Sequence, residues 1–273
     1  MKLPLVTPPN VPSEQAERSL EDPNFIRLAS EYIAGLPEWI APIILRMQQL
    51  HTMPGSRFED DDLLKPTDPP SAQVINLLRS GLDHLQALSD AVGSTGVRPL
   101  AGFTLVRSTI EASALAAWLM LPATKDVRLK HSIQLSVENR RDTETYTKRF
   151  ELGDTVSKWF RKEMTATKDQ RPGTKNMDLD KGLPPLTSII QTVDKHQKFS
   201  GLTGLDAWRI GSGIAHSNSS FAGGSLSREE LADQIKVTGR PTTFMMILQP
   251  GQQYLEYSLA MAERYMAPTP GKG

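Results

Sequence analysis

The 273-residue chain has no cysteine. That excludes a disulfide scaffold, a Cys-ligated zinc or iron–sulfur site, and a thiol nucleophile. Charge of one sign is not in excess either: 31 Lys and Arg stand against 31 Asp and Glu. A net charge of zero argues against a protein that coats DNA or lies on anionic lipid through bulk electrostatics. Several glycine signatures are missing as well. There is no G-x-x-x-x-G-K-[ST] and no dinucleotide fingerprint. Gly211-Ser212-Gly213 and Gly223-Gly224-Ser225 do not match a G-x-S-x-G elbow. H-E-x-x-H is absent too. No internal repeat and no strand–helix alternation occurs, which argues against parallel α/β folds. The remaining composition, 38% hydrophobic and 23% charged, is ordinary for a globular protein, and the length allows one large domain or two small ones.

Uninterrupted hydrophobic runs are also lacking. Pro4, Pro8, Pro9 and Pro12 break the N-terminal stretch, so it has no signal-peptide core. Leu100–Leu121 is long enough to span a bilayer but carries Arg107 and Glu111. Each would cost about 2.5–3.5 kcal/mol at mid-membrane. They lie four apart, so they can pair on one helix face. The expectation is a buried helix with a structural ion pair, in a cytoplasmic protein without a membrane contact.

Helical periodicity dominates the rest. A helix is expected from Ser13, whose Ser13–Glu17 stretch is near a capping box, to Leu36, and a second from Pro37 to Met53. These form an N-terminal helical hairpin, residues 1–53. Residues 54–70 read as a loop. Its Glu59-Asp60-Asp61-Asp62 run lacks the spacing and glycine of a calcium loop and reads as a solvated acidic segment. Residues 71–266 read as a helical bundle domain. Within it, helices are expected at 71–92 (capped by Ser71), 97–121, 124–150, 154–166, 184–196, 202–216 and 252–266. A flexible loop is expected at 167–183, a loop at 217–227, and a short helix from Ser227 to Gln234. Ile235–Val237 and Thr242–Leu248 could form a small β-hairpin. Residues 267–273 read as a frayed tail. The fold class is therefore all-α.

Charge is unevenly placed. Residues 1–122 hold 9 basic and 14 acidic side chains, and residues 123–175 hold 13 and 8. The middle segment includes Arg128, Arg140, Arg141, Arg161, Lys162 and Arg171. It reads either as a phosphate-contacting face or as a solvated helix face neutralised by Asp126, Glu138, Asp142 and Glu144.

One motif suggests chemistry. Arg209 and His216 frame an Arg-x6-His segment. Seven residues at about 100° each make nearly two full turns, so both side chains share a face about 10 Å apart along the axis. Ser212 lies between them on nearly the same side, and Asn218 follows. RNA carries its own nucleophile, the 2′-OH. An imidazole can exchange a proton near neutral pH, and a guanidinium can stabilise the added charge on phosphorus. Such a pair needs no metal and no cofactor. With 17 Arg and five His in the chain, Arg-x4–6-His spacings also arise by chance. Arg46-x4-His51 and Arg79-x4-His84 are two more, but five-residue steps put those pairs on different faces. The bland alternative pairs Arg209 with a carboxylate and leaves His216 at the negative end of its helix.

The motif resembles that of the HEPN superfamily, whose members share a four-helix core and an Arg-x4–6-His motif. In that superfamily two motifs commonly meet at a dimer interface and cleave RNA without metal. The resemblance covers mainly residues 71–266, and Ile210 stands where the pattern often has a polar residue. A wider similarity is to bacterial helical proteins with H-L-x-A-L, R-x-x-x-E-A, W-L-x-x-P and S-x-x-A-H segments. Here these are His84–Leu88, Arg107–Ala112, Trp118–Pro122 and Ser212–His216; this similarity implies a fold only. What the HEPN resemblance implies is a homodimeric, metal-independent endoribonuclease of a defence or toxin setting. Arg209 and His216 would be catalytic. Ser212, Asn218, Arg140, Arg141, Arg161 and Lys162 would support or contact RNA, and an antitoxin or regulator is a possible protein partner. A second expectation is a non-catalytic interaction module that packs helix 97–121 or 252–266 on a partner. A third is a small-ligand binder with a pocket near Arg107 and Glu111, where Glu111 could also orient His216.

Overall fold

Apolar residues at three- and four-residue spacing put most of the chain into helices, as the periodicity predicts. The computed structural model describes residues 20–95, 98, 100–150, 155–199, 201–231 and 234–269. The capping-box reading of Ser13–Glu17 lies outside them. Its helices are α1 (Pro23–Ala34), α2 (Leu36–Gln49), α3 (Arg57–Leu64), α4 (Pro70–Thr95), α5 (Ala101–Met120) and α6 (Lys125–Arg149). Then follow α7 (Thr155–Asp169), α8 (Pro172–Lys175), α9 (Leu186–Asp194), α10 (Gly204–Ala215) and α11 (Ser219–Ser225). A hairpin of β1 (Leu226–Leu231) and β2 (Gln234–Gly239) precedes α12 (Pro241–Met266). The protein is all-α with one small antiparallel hairpin. Among the described residues no helix is long and apolar enough to cross a membrane.

The hairpin pairs Leu226 with Gly239 and Leu231 with Gln234. The partner of the 235–237 strand thus precedes it in the chain. Two expectations change with it. Ser227–Leu231 and Gln234 lie in strands, not in a helix, and Thr242–Leu248 is not a strand but the start of α12. Pro241 occupies a first-turn position, where its missing N–H costs nothing. Phe244, Leu248, Leu255 and Leu259 are fully buried along the helix, and Pro250 sits inside it. The loop expected at 217–227 contains α11, whose N-cap Asn218 accepts from Ser220 N at 3.0 Å.

The 54–70 segment is also more ordered than a loop. Ser56 caps α3 by accepting from Glu59 N at 3.1 Å, and Glu59 Oε2 accepts from Gly55 N at 2.6 Å. The acidic run is not simply solvated, because each carboxylate has a partner. Asp60 faces Lys125 at 3.4 Å. Asp61, buried, takes both sides of the buried Arg128 guanidinium at 2.6 and 3.0 Å. Asp62 accepts from Ser71 N at 3.0 Å and from its hydroxyl. Ser71 therefore does not cap α4; it is held by the neighbouring carboxylate. Residues 167–183 are likewise structured. Helix α7 reaches Asp169, and Asp126 binds Arg171 Nε and Gly173 N.

The chain divides into two compact units, each discontinuous in sequence. One draws on Met1–Gln49, Leu78–Ala114 and Ile190–Tyr257, the other on Leu50–Leu77, Leu115–Ile189 and Ser258–Gly273. The core of the first includes Ile33, Ile40, Leu85, Phe103, Ile110 and Phe244. That of the second includes Phe58, Leu129, Ile133, Met164 and Tyr265. The second unit also buries Lys65 completely. Its ammonium meets the Asp68 carbonyl and carboxylate, and burial lowers its pKa to about 8.

Candidate functional site

Helix α10 carries Arg209, Ser212 and, as its C-cap, His216. Three local devices fix its backbone. At the start, Thr203 and Asp206 form a reciprocal capping box. Asp194 adds to it, accepting from Gly204 N and Leu205 N at 3.1 Å each. The Tyr254 hydroxyl donates to Asp194 Oδ1 at 2.5 Å, with the Ile190 carbonyl 3.1 Å away. Burial first, and the Asp194 carboxylate second, push the Tyr254 pKa up, so the hydroxyl stays a donor. Gly204 packs against the Tyr254 ring so closely that a Cβ there would overlap it.

In the middle, α10 lies on α5. A Cβ on Gly211 would come within 2.9 Å of Arg107 Cβ and 3.0 Å of the Phe103 carbonyl. Trp208 Nε1 donates to Glu111 at 2.7 Å, and the Arg107 guanidinium sits 5.6 Å from the Trp208 ring centroid. Arg107 and Glu111 form the expected ion pair, at 2.6 Å. Glu111 is thus engaged by Arg107 and Trp208, and no hydrogen bond links it to His216. At the end, Ser217 N donates to the Ile214 carbonyl at 2.9 Å and Asn218 N to the Gly213 carbonyl at 2.8 Å. These two bonds, with Ser217 at φ 58°, make a Schellman turn.

Arg209 and His216 are both exposed, and neither has a side-chain hydrogen bond or ion pair among the described residues. The imidazole is not enclosed by hydrocarbon, and Arg209 meets no carboxylate among the described residues. His216 does occupy the helix terminus, as the bland alternative has it. Ser212 is partly exposed. The Asn218 side chain is used in capping α11.

The basic residues of the middle segment lie in the other unit. Arg140, Arg141 and Arg161 converge on a cleft of about 60 Å³ floored by Val137, Phe160, Met164 and Leu179. Carboxylates already balance them. Arg161 meets Asp180 at 2.6 Å, Arg141 meets Glu138 at 3.1 Å, and Arg140 lies 3.9 Å from Glu144. The Arg161–Asp180 hydrogen bond raises the arginine pKa and lowers the carboxyl pKa. Lys162 is exposed without a side-chain partner among the described residues. Arg128 is a buried structural cation, and Arg171 is tied to Asp126.

No protein-family model, curated protein or solved structure matches this chain.

A residue that sequence reasoning passed over is His131, whose neighbour in space is Trp118. Their rings stack at 3.6 Å and 7°, and His131 Nδ1 lies 3.0 Å from the Trp118 carbonyl. Desolvation lowers the His131 pKa to about 4, outweighing the bond to that carbonyl. The two lie 13 residues apart across Pro122, a separation that carries no motif.

Proposed function

We propose that the protein is a metal-independent endoribonuclease whose reacting groups are Arg209 and His216. The observation that carries the reading is that both side chains are exposed and uncommitted on a helix whose backbone is held at both ends and in the middle. The His216 imidazole takes the proton of a ribose 2′-OH. The oxygen then attacks phosphorus, and the bond to the 5′ oxygen breaks. Arg209 donates to the phosphoryl oxygens as they gain charge. The departing 5′ oxygen needs a proton, and one His216 cannot be base and acid in the same step. The reaction therefore calls for a second copy of the chain, whose protonated His216 supplies it. Products are a 2′,3′-cyclic phosphate and a 5′-hydroxyl.

The interaction-module reading has less surface to draw on. Phe103, Val106 and Ile110 of α5, and Leu255, Leu259 and Ala262 of α12, are already fully buried within the chain.

The deciding experiment incubates the purified full chain with single-stranded RNA in excess chelator. Cleavage with cyclic-phosphate ends is expected. His216→Ala and Arg209→Ala should each slow it at least about 100-fold, the usual scale for losing a general base or an oxyanion donor. Cleavage that survives His216→Ala, or that requires added metal, overturns the reading.

A further inference from the structure

The second unit contains a larger cleft, about 450 Å³, beside the Trp118–His131 stack. Its volume falls in the range of small-molecule sites, about 300–1,000 Å³. We infer that this cleft binds a small organic phosphate whose planar ring system carries an N–H or O–H donor, of the class of a nucleoside monophosphate.

The donor requirement comes from His131. A backbone carbonyl can only accept, so Nδ1 carries the proton and donates to Trp118 O. The ring is held neutral by its burial, so Nε2 keeps a lone pair. Stacking on Trp118 and the bond at Nδ1 together fix the ring, and no described residue donates to Nε2. This is a positioned acceptor on the wall of a cleft.

The anion requirement comes from the rim. Lys130 and Lys181 line the cleft, and neither ammonium has a carboxylate partner among the described residues. The other charged lining group, Asp178, accepts from Asp180 N at 2.8 Å. The two cations therefore outnumber the single carboxylate, and lysine ammoniums serve phosphate as mobile point charges. The planar body is suited to the remaining wall. Met177 and Pro184 offer apolar surface, and Gln134, whose amide donates to the Gly182 carbonyl at 3.3 Å, lines the cleft with Asn176. None of these residues belongs to the Arg209–His216 pair, so the inference does not rest on the ribonuclease reading.

The test uses the full chain, isothermal titration calorimetry and ¹⁵N-histidine NMR. The probes are adenosine 5′-monophosphate, adenosine and inorganic phosphate. The monophosphate is expected to bind, with adenosine and phosphate each at least about tenfold weaker. The exposed Lys130→Ala/Lys181→Ala double variant should melt like the parent and bind the monophosphate at least about tenfold more weakly. The unprotonated Nε2 resonance of His131 should move on binding and stay still in the double variant at the same ligand concentration. Three results each overturn the proposal: no binding of the monophosphate at about 5 mM, binding indifferent to the two lysines, or binding without a change at His131.

Discussion

His131 gives the protein a specific response to acid. Its folded-state pKa of about 4 lies below the ordinary 6.5, because burial disfavours the imidazolium. As pH falls, the unfolded chain therefore takes up this proton first. The stability that depends on neutral His131 is complete above about pH 6.5 and drains away toward pH 4, with a total on the order of 3 kcal/mol. Replacing His131 with Phe keeps an aromatic ring over Trp118 but removes the titration. The expected result is a flatter acid limb in urea-unfolding free energies measured between about pH 7 and pH 4.5. An unchanged limb would show that the imidazole is not held neutral in the folded protein. No spacing rule points to this residue. Its environment arises only when Trp118 of α5 meets His131 of α6, a contact that is not written in any one segment.

At the scale of elements, α10 shows how much the sequence discloses. Its existence and extent follow from apolar spacing, and Thr203-x-x-Asp206 is a capping signal at its start. The acidic stretch after Ser56 carries the same signal, Ser56-x-x-Glu59, and four consecutive carboxylates masked it as a loop. The β-branched and aromatic residues after Pro241 suggested a strand. Burial of Phe244 and Leu248 on one helix face decided otherwise, a tertiary preference that local propensity does not contain. The shared face of Arg209 and His216 was legible from their spacing; their exposure and the reason for Gly211 were not.

Two substitutions separate these contributions. Gly211→Ala would gain about 1 kcal/mol of helix propensity. The new methyl, however, would meet a Cβ and a backbone carbonyl, neither of which can swing aside. A net loss of about 1–3 kcal/mol is expected in thermal or urea unfolding. A gain would mean that α10 and α5 are free to separate. Ser217→Gly has the opposite sign. Ser217 holds the left-handed conformation that the Schellman turn needs, at φ 58°. Glycine reaches that conformation without the side-chain penalty, so a rise of about 0.5–1 kcal/mol is expected. No rise would mean that the turn is not held in solution.

At the scale of the whole molecule, charge balances in total, and the arginines at the heart of the basic segment are balanced one by one. The basic middle segment answers its own cations with Asp61, Asp126, Glu138, Glu144 and Asp180. Those arginines are occupied, which leaves Arg209 and a few scattered lysines, Lys162 among them, to displace counterions from a phosphate backbone. RNA affinity, read by fluorescence anisotropy across a salt series, should therefore fall with a log–log slope no steeper than about −2, the mark of about three phosphates at −0.7 each. A slope of about −4 would mean that those ion pairs open when RNA arrives. The Schellman turn, the Asp194–Tyr254 clamp and the Gly211 contact leave α10 little freedom in its main chain. Ordering Arg209 and His216 around a ligand would thus consume side-chain rotamers alone, on the order of 1–3 kcal/mol for two residues, with no entropy spent on folding a loop. The pair is, in that sense, a hinge-free gripper awaiting something to close upon.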